Sequence, residues 1–424
     1  MKVIYSILFY LALPLILMRL IWRSFKAPDY FKRWNERFGC IPSRSSKQNL
    51  IWVHAVSVGE VEACRPLIKG LQERYPEHQI LITTMTPTGS ARVKTLFADA
   101  MLHVYLPYDM PFAIKHFLDA MQPQFGIIME TELWPNLLLI CAERSIPVVI
   151  ANARLSARSA RGYQKVSNFT RQMLENVPLI AAQTQSDRER FVQLGALKNK
   201  VHAVGNLKYE ISLPASVLER AESIRALWGN RPSFIAASTH DGEEELILDA
   251  ARTIRSQFRD LLLIIVPRHP ERFDRVAALC RRSGLNTLRR SEGKPCGNQV
   301  QALVIDTMGE LSVFYGTADV AFVGGSLVNH GGHNILEPAA LSRPVITGPH
   351  YFNFLEVTRQ FLEHHAAIEV KNPEQLADSV IELLKDPQRR AEMGDAGKLL
   401  IEQSKGASQR LLNLIDVHIS HVQR

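Results

Sequence analysis

Carboxylates standing just behind apolar runs are the first residues of this sequence with a chemical use. In HAVSVGEVEACRPLI, Glu60 opens a helix directly after the strand-like run LIWVHAV. The positive end of a helix favours an ionised carboxylate, which suits a side chain that takes a proton from a hydroxyl. Ser57 and Glu60 also fit S-x-x-E, the spacing of a capping box in which the same carboxylate only closes the helix end. Both uses stay open. METELWPN puts Glu130 and Glu132 in the same setting behind FGIIM, with Thr131 as an alternative cap, and VGNLKYE puts Lys208 just past a further apolar run.

Later in the chain the chemistry turns from proton acceptors to anion grips. PRHPER sets Arg268 and His269 at the end of LLLIIV. A guanidinium grips phosphate or carboxylate at two points, and a strand's carboxyl end is where such a grip is useful. The bland use is a surface turn shaped by Pro267 and Pro270. In AFVGGSLVNHGGHNILEPAALSRPVITGPHYFNF, an apolar run ends at Gly324 and Gly325, a loop with Gly331 and Gly332 follows, and a helix is predicted from near Ile335. Glycines let backbone N–H groups approach a phosphate, and a helix start adds favourable dipole charge. Glu337 then falls in the first turn, where it can accept from two ribose hydroxyls, and Pro338 suits a position that needs no N–H. A plain strand-loop-helix with Glu337 offsetting the dipole explains the same residues. The loop is not G-x-G-x-x-G, so a dinucleotide fingerprint is absent. Met308, Gly309, Glu310 and Leu311, after ALVID, can present backbone groups to a base; Ser238, Thr239 and His240 after FIAAST are similarly placed. Arg154, Arg158, Arg161 and Lys165 recur at helical spacing and are expected on one face, either a solvated basic face or a grip on phosphates. With no D-x-D pair and no His/Cys cluster of ligand spacing, neither metal nor cofactor is expected.

The elements that must hold these residues repeat in one pattern. LIWVHAV, QILITTM, FGIIM, IPVVIAN and LIAAQT read as buried strands with helical stretches between them, such as Val61 to about Arg74. The pattern restarts with FIAAST, LLLIIV, ALVID, VAFVGG and PVITG, with helices from Glu243 to Phe258 and Pro270 to Ser283. This predicts an α/β protein of two Rossmann-like domains facing across a cleft, a GT-B-like layout. The expected division is an N-terminal segment 1–22, a first domain 36–210 and a second domain 211–424. Tandem αβ domains also serve epimerases, binding proteins and dehydrogenases, so the fold alone leaves function open.

A length of 424 residues suits two cores rather than one. The net charge of +8 draws the protein to something anionic, but the Lys and Arg residues are spread rather than gathered into a nucleic-acid module, which excludes nucleic acid as the expected partner. Five cysteines, odd in number and without a C-x-x-C pair, fit a reducing compartment. From Val3 to Trp22 the chain reads VIYSILFYLALPLILMRLIW, about the ~20 residues that cross a bilayer, interrupted by Pro14 and Arg19. It ends in basic rather than small residues, which favours a retained anchor over a cleaved leader. The basic residues behind it place the remainder on the cytoplasmic side. Crossing the bilayer and lying in its interface both fit, as does a buried core helix.

Taken together, HAVSVGEV, METELWPN, the NARLS segment, VGNLKYE, PRHPER, GEL and GGHNILE resemble the Kdo transferase family of lipopolysaccharide biosynthesis, from the N-terminal anchor to beyond Phe354. The resemblance implies transfer of 3-deoxy-D-manno-octulosonic acid (Kdo) from CMP-Kdo to the tetraacylated lipid A precursor, lipid IVA, at the cytoplasmic face of the inner membrane. It implies inversion in a single displacement, with Glu60 as general base and Glu130 and Lys208 stabilising the transition state. Arg268, His269, Gly309, Glu310, Leu311, Asn334, Ile335, Leu336 and Glu337 would bind the donor. Arg154 and Arg158 would meet the acceptor. Two other functions compete: a nucleotide-sugar epimerase or hydrolase of the same fold, which would not need the anchor, and a non-catalytic membrane-surface binding protein.

Overall fold

A computed structural model describes residues 2–26, 28–44, 46, 48–97, 100–211, 213–214 and 216–419. Among these, the chain forms two compact units, one of Met1–Glu210 with Gly406–Arg424 and one of Ile211–Lys405. The expected ends at residue 1 and residues 420–424 lie outside the described residues.

The first unit is built on seven parallel strands: β1 (Leu50–His54), β2 (Gln79–Thr84), β3 (Leu102–Tyr105), β4 (Phe125–Met129), β5 (Val148–Ala153), β6 (Ile180–Ala182) and β7 (Val201–Ala203), in the order β3-β2-β1-β4-β5-β6-β7. β1 is buried along its whole length because helices cover both faces, as its unbroken run LIWVH requires. Its alternate side chains feed two cores: Leu50 and Trp52 pack with Phe117 and Leu137, while Ile51 and Val53 pack with Val61, Leu67 and Ile127. The chain order reverses between β1 and β4, which places the crevice of a doubly wound sheet at their carboxyl ends.

The second unit repeats the plan with β8 (Ser233–Thr239), β9 (Leu262–Pro267), β10 (Thr287–Arg289), β11 (Ala302–Val304), β12 (Val320–Val323), β13 (Val345–Thr347) and β14 (Ala367–Glu369), in the order β10-β11-β9-β8-β12-β13-β14. Here the reversal lies between β8 and β12, registered Phe234 to Val320 through Ala237 to Val323.

Two elements differ from expectation. The helix Ala407–Ile419 returns to the first unit, where Ala407, Leu411, Leu412 and Ile415 complete a core with Leu67 and Leu71. Arg74 and Tyr75 both bond Asp416. The second unit therefore ends at Lys405, not 424. The expected helix from Val61 to Arg74 is two, Val58–Ala63 and Arg65–Arg74, with Pro66 opening the second.

The N-terminal helix Lys2–Lys26 is long and apolar enough to cross a membrane. Among the described residues its outward side carries Val3, Ile4, Ile7, Leu8, Leu11, Leu15, Met18 and Trp22. Its other side is held to the unit by polar bonds: the Tyr5 hydroxyl donates to Asp109 at 2.9 Å, the Ser6 hydroxyl to Asn136 at 3.0 Å, and Lys2 pairs with Glu143.

Candidate functional site

Glu60 lies in the first turn behind β1 and is 8% exposed. Its carboxylate accepts the Val56 N–H at 2.7 Å and the Ser57 hydroxyl at 3.1 Å. This is not a capping box: the Ser57 oxygen closes no backbone N–H, and it donates to Glu60 instead. The dipole does not keep the carboxyl acidic either. Burial, followed by the charge of Glu130, pushes it up to about 8 against the pull of the two hydrogen bonds.

Glu130 follows β4, on the other side of the chain reversal. Its N–H continues the sheet to the Ala151 carbonyl at 2.8 Å while its backbone turns left-handed at φ 60°. A non-glycine residue there costs about 1–2 kcal/mol. Such strain persists where surrounding structure enforces it, often at functional sites. The Glu130 carboxylate pairs with the Lys208 ammonium at 2.6 Å. Lys208 is set by a short turn, Leu207–Tyr209, whose amides are held by asparagines: Asn152 accepts from Leu207 at 2.9 Å and Asn206 from Lys208 at 3.0 Å. Glu132 accepts the Trp134 indole N–H at 2.7 Å, and burial raises its carboxyl. Thr131 is not a cap; Trp134 precedes the helix Pro135–Glu143, and the Thr131 hydroxyl donates to the Arg154 carbonyl. Three carboxylates and one ammonium thus share the crevice end of this sheet. Sequence reasoning missed Asn152 and Asn206; the signal was an asparagine in IPVVIAN and another before LKY, residues that tolerate φ > 0 and hold local amides.

Arg154, Arg158, Arg161 and Lys165 are all exposed. They do not form one helical row, because the helix Ala157–Gln164 starts behind the Ser156 cap and Arg154 precedes it.

In the second unit, Arg268 and His269 leave β9 exposed, with the Arg268 N–H on the Thr239 carbonyl at 3.0 Å. Asn334 accepts the Leu336 N–H at 3.1 Å and so shapes the entry to the helix Leu336–Ala340. That helix has only five residues, too few for the dipole expected of it. Glu337 accepts the Ser312 hydroxyl at 3.2 Å. Burial raises its carboxyl, opposed by bonds from Ser312 and Asn334 and by the Arg268 charge. Gly309 takes φ 82° and turns the chain into the helix Leu311–Thr317, which carries Ser312. Glu310 is held by the Thr307 hydroxyl and by Arg220 and Arg290; burial raises its carboxyl, but these partners prevail and leave it lowered. Its side chain is committed to the turn, so this segment offers a ligand mainly its backbone.

Three imidazoles gather near Arg268, of which the sequence pointed only to His240, and to that as part of its loop. His330, from the β12 loop, stacks on His240 from the β8 loop, and His333 from the same β12 loop meets His240 edge to edge, with their Nε2 atoms 2.8 Å apart. Glu243, shut off from solvent, accepts the backbone N–H groups of His240, Gly325, Ser326 and Leu327 at 2.7 to 3.2 Å, which ties the two loops together. Among the described residues no group of three or more His, Cys, Asp or Glu side chains is arranged to hold a metal ion.

Comparison with known proteins fits this division. Residues 32–211 match the family model described as 3-deoxy-D-manno-octulosonic-acid transferase, and residues 243–400 match the glycosyl transferases group 1 model. The chain is 44% identical to the 3-deoxy-D-manno-octulosonic acid transferase of Haemophilus influenzae over 423 residues, 98% of each chain. It is 36% identical to the enzyme of the same name from Bordetella pertussis, over 86% of each. A solved UDP-GlcNAc 2-epimerase from Neisseria meningitidis, bound to UDP-GlcNAc, aligns with a TM-score of 0.50 at 13% identity, covering 87% of this chain and 99% of that one. At that identity it shares the fold alone, the GT-B-like pair of parallel αβ units. Near full-length identity to the transferases decides what the shared fold leaves open: the chain belongs to the 3-deoxy-D-manno-octulosonic acid (Kdo) transferase family.

Proposed function

We propose that the protein transfers Kdo from CMP-Kdo to the lipid A precursor lipid IVA by one inverting displacement, with Glu60 as the base. The observation that carries this is the setting of Glu60: a nearly buried carboxyl at a sheet's reversal point, raised to about 8, with Glu130 and Lys208 beside it. A hydroxyl is a weak nucleophile until its proton is removed as attack proceeds, and a carboxylate of raised basicity is suited to remove it. The Glu130–Lys208 pair steadies charge: Glu130 keeps the base strong, and Lys208 offers a fixed ammonium to an oxygen that gains negative charge. Arg268, His269, the Gly309–Leu311 backbone and the Asn334–Glu337 turn take the nucleotide of the donor. Arg268 meets the phosphate, and Glu337 accepts from ribose hydroxyls. Arg154, whose carbonyl accepts the Thr131 hydroxyl beside Glu130, and Arg158, both exposed, meet anionic groups of the acceptor.

The helix Lys2–Lys26 attaches the protein to the cytoplasmic face of the inner membrane. Its polar bonds to Asp109 and Asn136 run along one flank, which supports a helix lying against its own unit with its apolar side toward lipid. The direct test is release of CMP when the purified protein is mixed with CMP-Kdo and dispersed lipid IVA. Release that requires both substrates is expected. Release from CMP-Kdo alone at the same rate, or none with both present, would overturn the proposal.

A further inference from the structure

β8 and β12 flank the chain reversal of the second unit, and their carboxyl-end loops bring together imidazoles that the proposed reaction leaves unused. The His240 ring lies 4.1 Å from His330 at 16° and 5.1 Å from His333 at 4°; His269 closes the group edge-on at 5.4 Å. Nε2 of His240 and Nε2 of His333 are 2.8 Å apart. At that distance one nitrogen must carry hydrogen and the other a lone pair, so the pair is built around one shared proton. Gly325, at φ 67°, makes the room: a Cβ there would stand 3.0 Å from His333 and 3.2 Å from His240. The Glu243 carboxylate, bonded to the amides of both loops, fixes the separation.

Two fixed cations and two further imidazoles face the pair: Arg268 and His269 come from the β9 end, Arg272 from the turn behind it, and His330 from the β12 loop. The nearby carboxylates are engaged: Glu243 with amides, Glu244 with Arg272, Asp241 with Arg272 and Arg275, and Glu337 with Ser312. Burial first, then the neighbouring imidazoles with Arg272 and Arg268, lowers His240 to about 4, and burial with His240, Arg268 and the other imidazoles lowers His333 to about 3, so the pair is neutral near pH 7.

We propose that His240 and His333 form a proton-linked anion subsite for the donor's phosphate, taking up a proton when the nucleotide binds and returning it to the departing phosphate. Such a subsite rests on the CMP-sugar reading of this unit made above. In the transfer, the bond between the anomeric carbon and the phosphate oxygen breaks and its electron pair stays on that oxygen. The oxygen takes the added proton from the imidazolium nitrogen that does not face the partner ring, and the pair returns to its one shared proton between the two Nε2 atoms. The acceptor oxygen bonds the anomeric carbon and gives its own proton to Glu60.

The full chain is titrated with CMP at pH 6.5 in buffers of different ionisation enthalpy, which reads protons taken up on binding. His240→Asn and His333→Asn are compared with the parent, and His333→Gln replaces them if they fail to fold. The phosphate's own protonation is common to all and cancels. The expected result is uptake in the parent that falls in each variant, with CMP binding weakened about 10-fold at pH 6.5, the worth of one charge-assisted bond, and much less at pH 8. Equal uptake in parent and variants overturns the subsite while leaving the donor reading intact. No CMP binding by the parent overturns the donor reading itself. Tight Zn²⁺ binding that the variants lose would assign the imidazoles to a metal and also overturn the subsite.

Discussion

Replacing Glu60 by Gln separates proton transfer from structure. In the fold, Gln keeps one oxygen for the Val56 N–H now bonded at 2.7 Å, and its NH₂ can donate to the Ser57 oxygen. Local structure should survive. The sign of the stability change follows from the raised carboxyl. The folded protein holds this proton up to about pH 8 whereas the unfolded chain releases it near 4.5, so the folded state binds more protons between those values and loses stability as pH rises through them. Gln removes that penalty. The variant should melt no lower than the parent at pH 8 and compare less well at pH 5. In catalysis the shape is kept but the proton acceptor is gone, so turnover should fall by roughly 10²–10⁴-fold, about 3–5 kcal/mol of barrier. CMP release with saturating CMP-Kdo and detergent-dispersed acceptor measures this, with CMP affinity as the control. Parent turnover should climb with pH toward about 8 as Glu60 ionises, and the residual rate of the variant should lack that rise. A folded Gln variant within a few-fold of the parent would refute Glu60 as the base and move attention to Glu130.

Glu130→Gln removes the negative charge that helps raise Glu60, so the alkaline rise in turnover should shift to lower pH; an unmoved pH profile would sever the coupling. Deleting residues up to Trp22 should preserve turnover on detergent-dispersed acceptor but lower the melting temperature, because Asp109 and Asn136 lose Tyr5 and Ser6; loss of all activity in a folded truncation would contradict the helix's role as an attachment. A chelator should leave turnover unchanged, since Arg268 and backbone amides are assigned the phosphate's charge. Inhibition reversed by added metal would show that assignment to be wrong.

The interior of both sheets is legible in the sequence because parallel strands covered on both faces read as unbroken apolar runs. The four strands the apolar pattern leaves out are β3, β7, β10 and β14, and these are the four sheet edges. Each has three or four residues and is only partly buried, so LHVY, VHA, TLR and AIE carry no long apolar run. The positions of Glu60, Glu130, Lys208 and Arg268 behind strands could be read directly. The protonation of Glu60 could not, because it depends on burial and on a carboxylate 70 residues away. The imidazole group was hidden for a related reason. His240 lies far from His333 in sequence, and only the pairing of β8 with β12, clasped by Glu243, makes them neighbours.

The return of the helix Ala407–Ile419 to the first unit bears on how the protein is made. Its apolar side closes the core around Leu67 and Leu71, and it sits so near Gly70 that a Cβ there would collide with Leu412. The first unit therefore emerges first yet is finished last, while Ile211–Lys405 emerges whole in between. At about 5–20 residues per second the wait is roughly 10–40 s, during which the surface reserved for that helix is bare and open to a chaperone or to a neighbouring nascent chain. A nonsense mutation just past Lys405 would accordingly injure not the unit it follows but the one translated long before it.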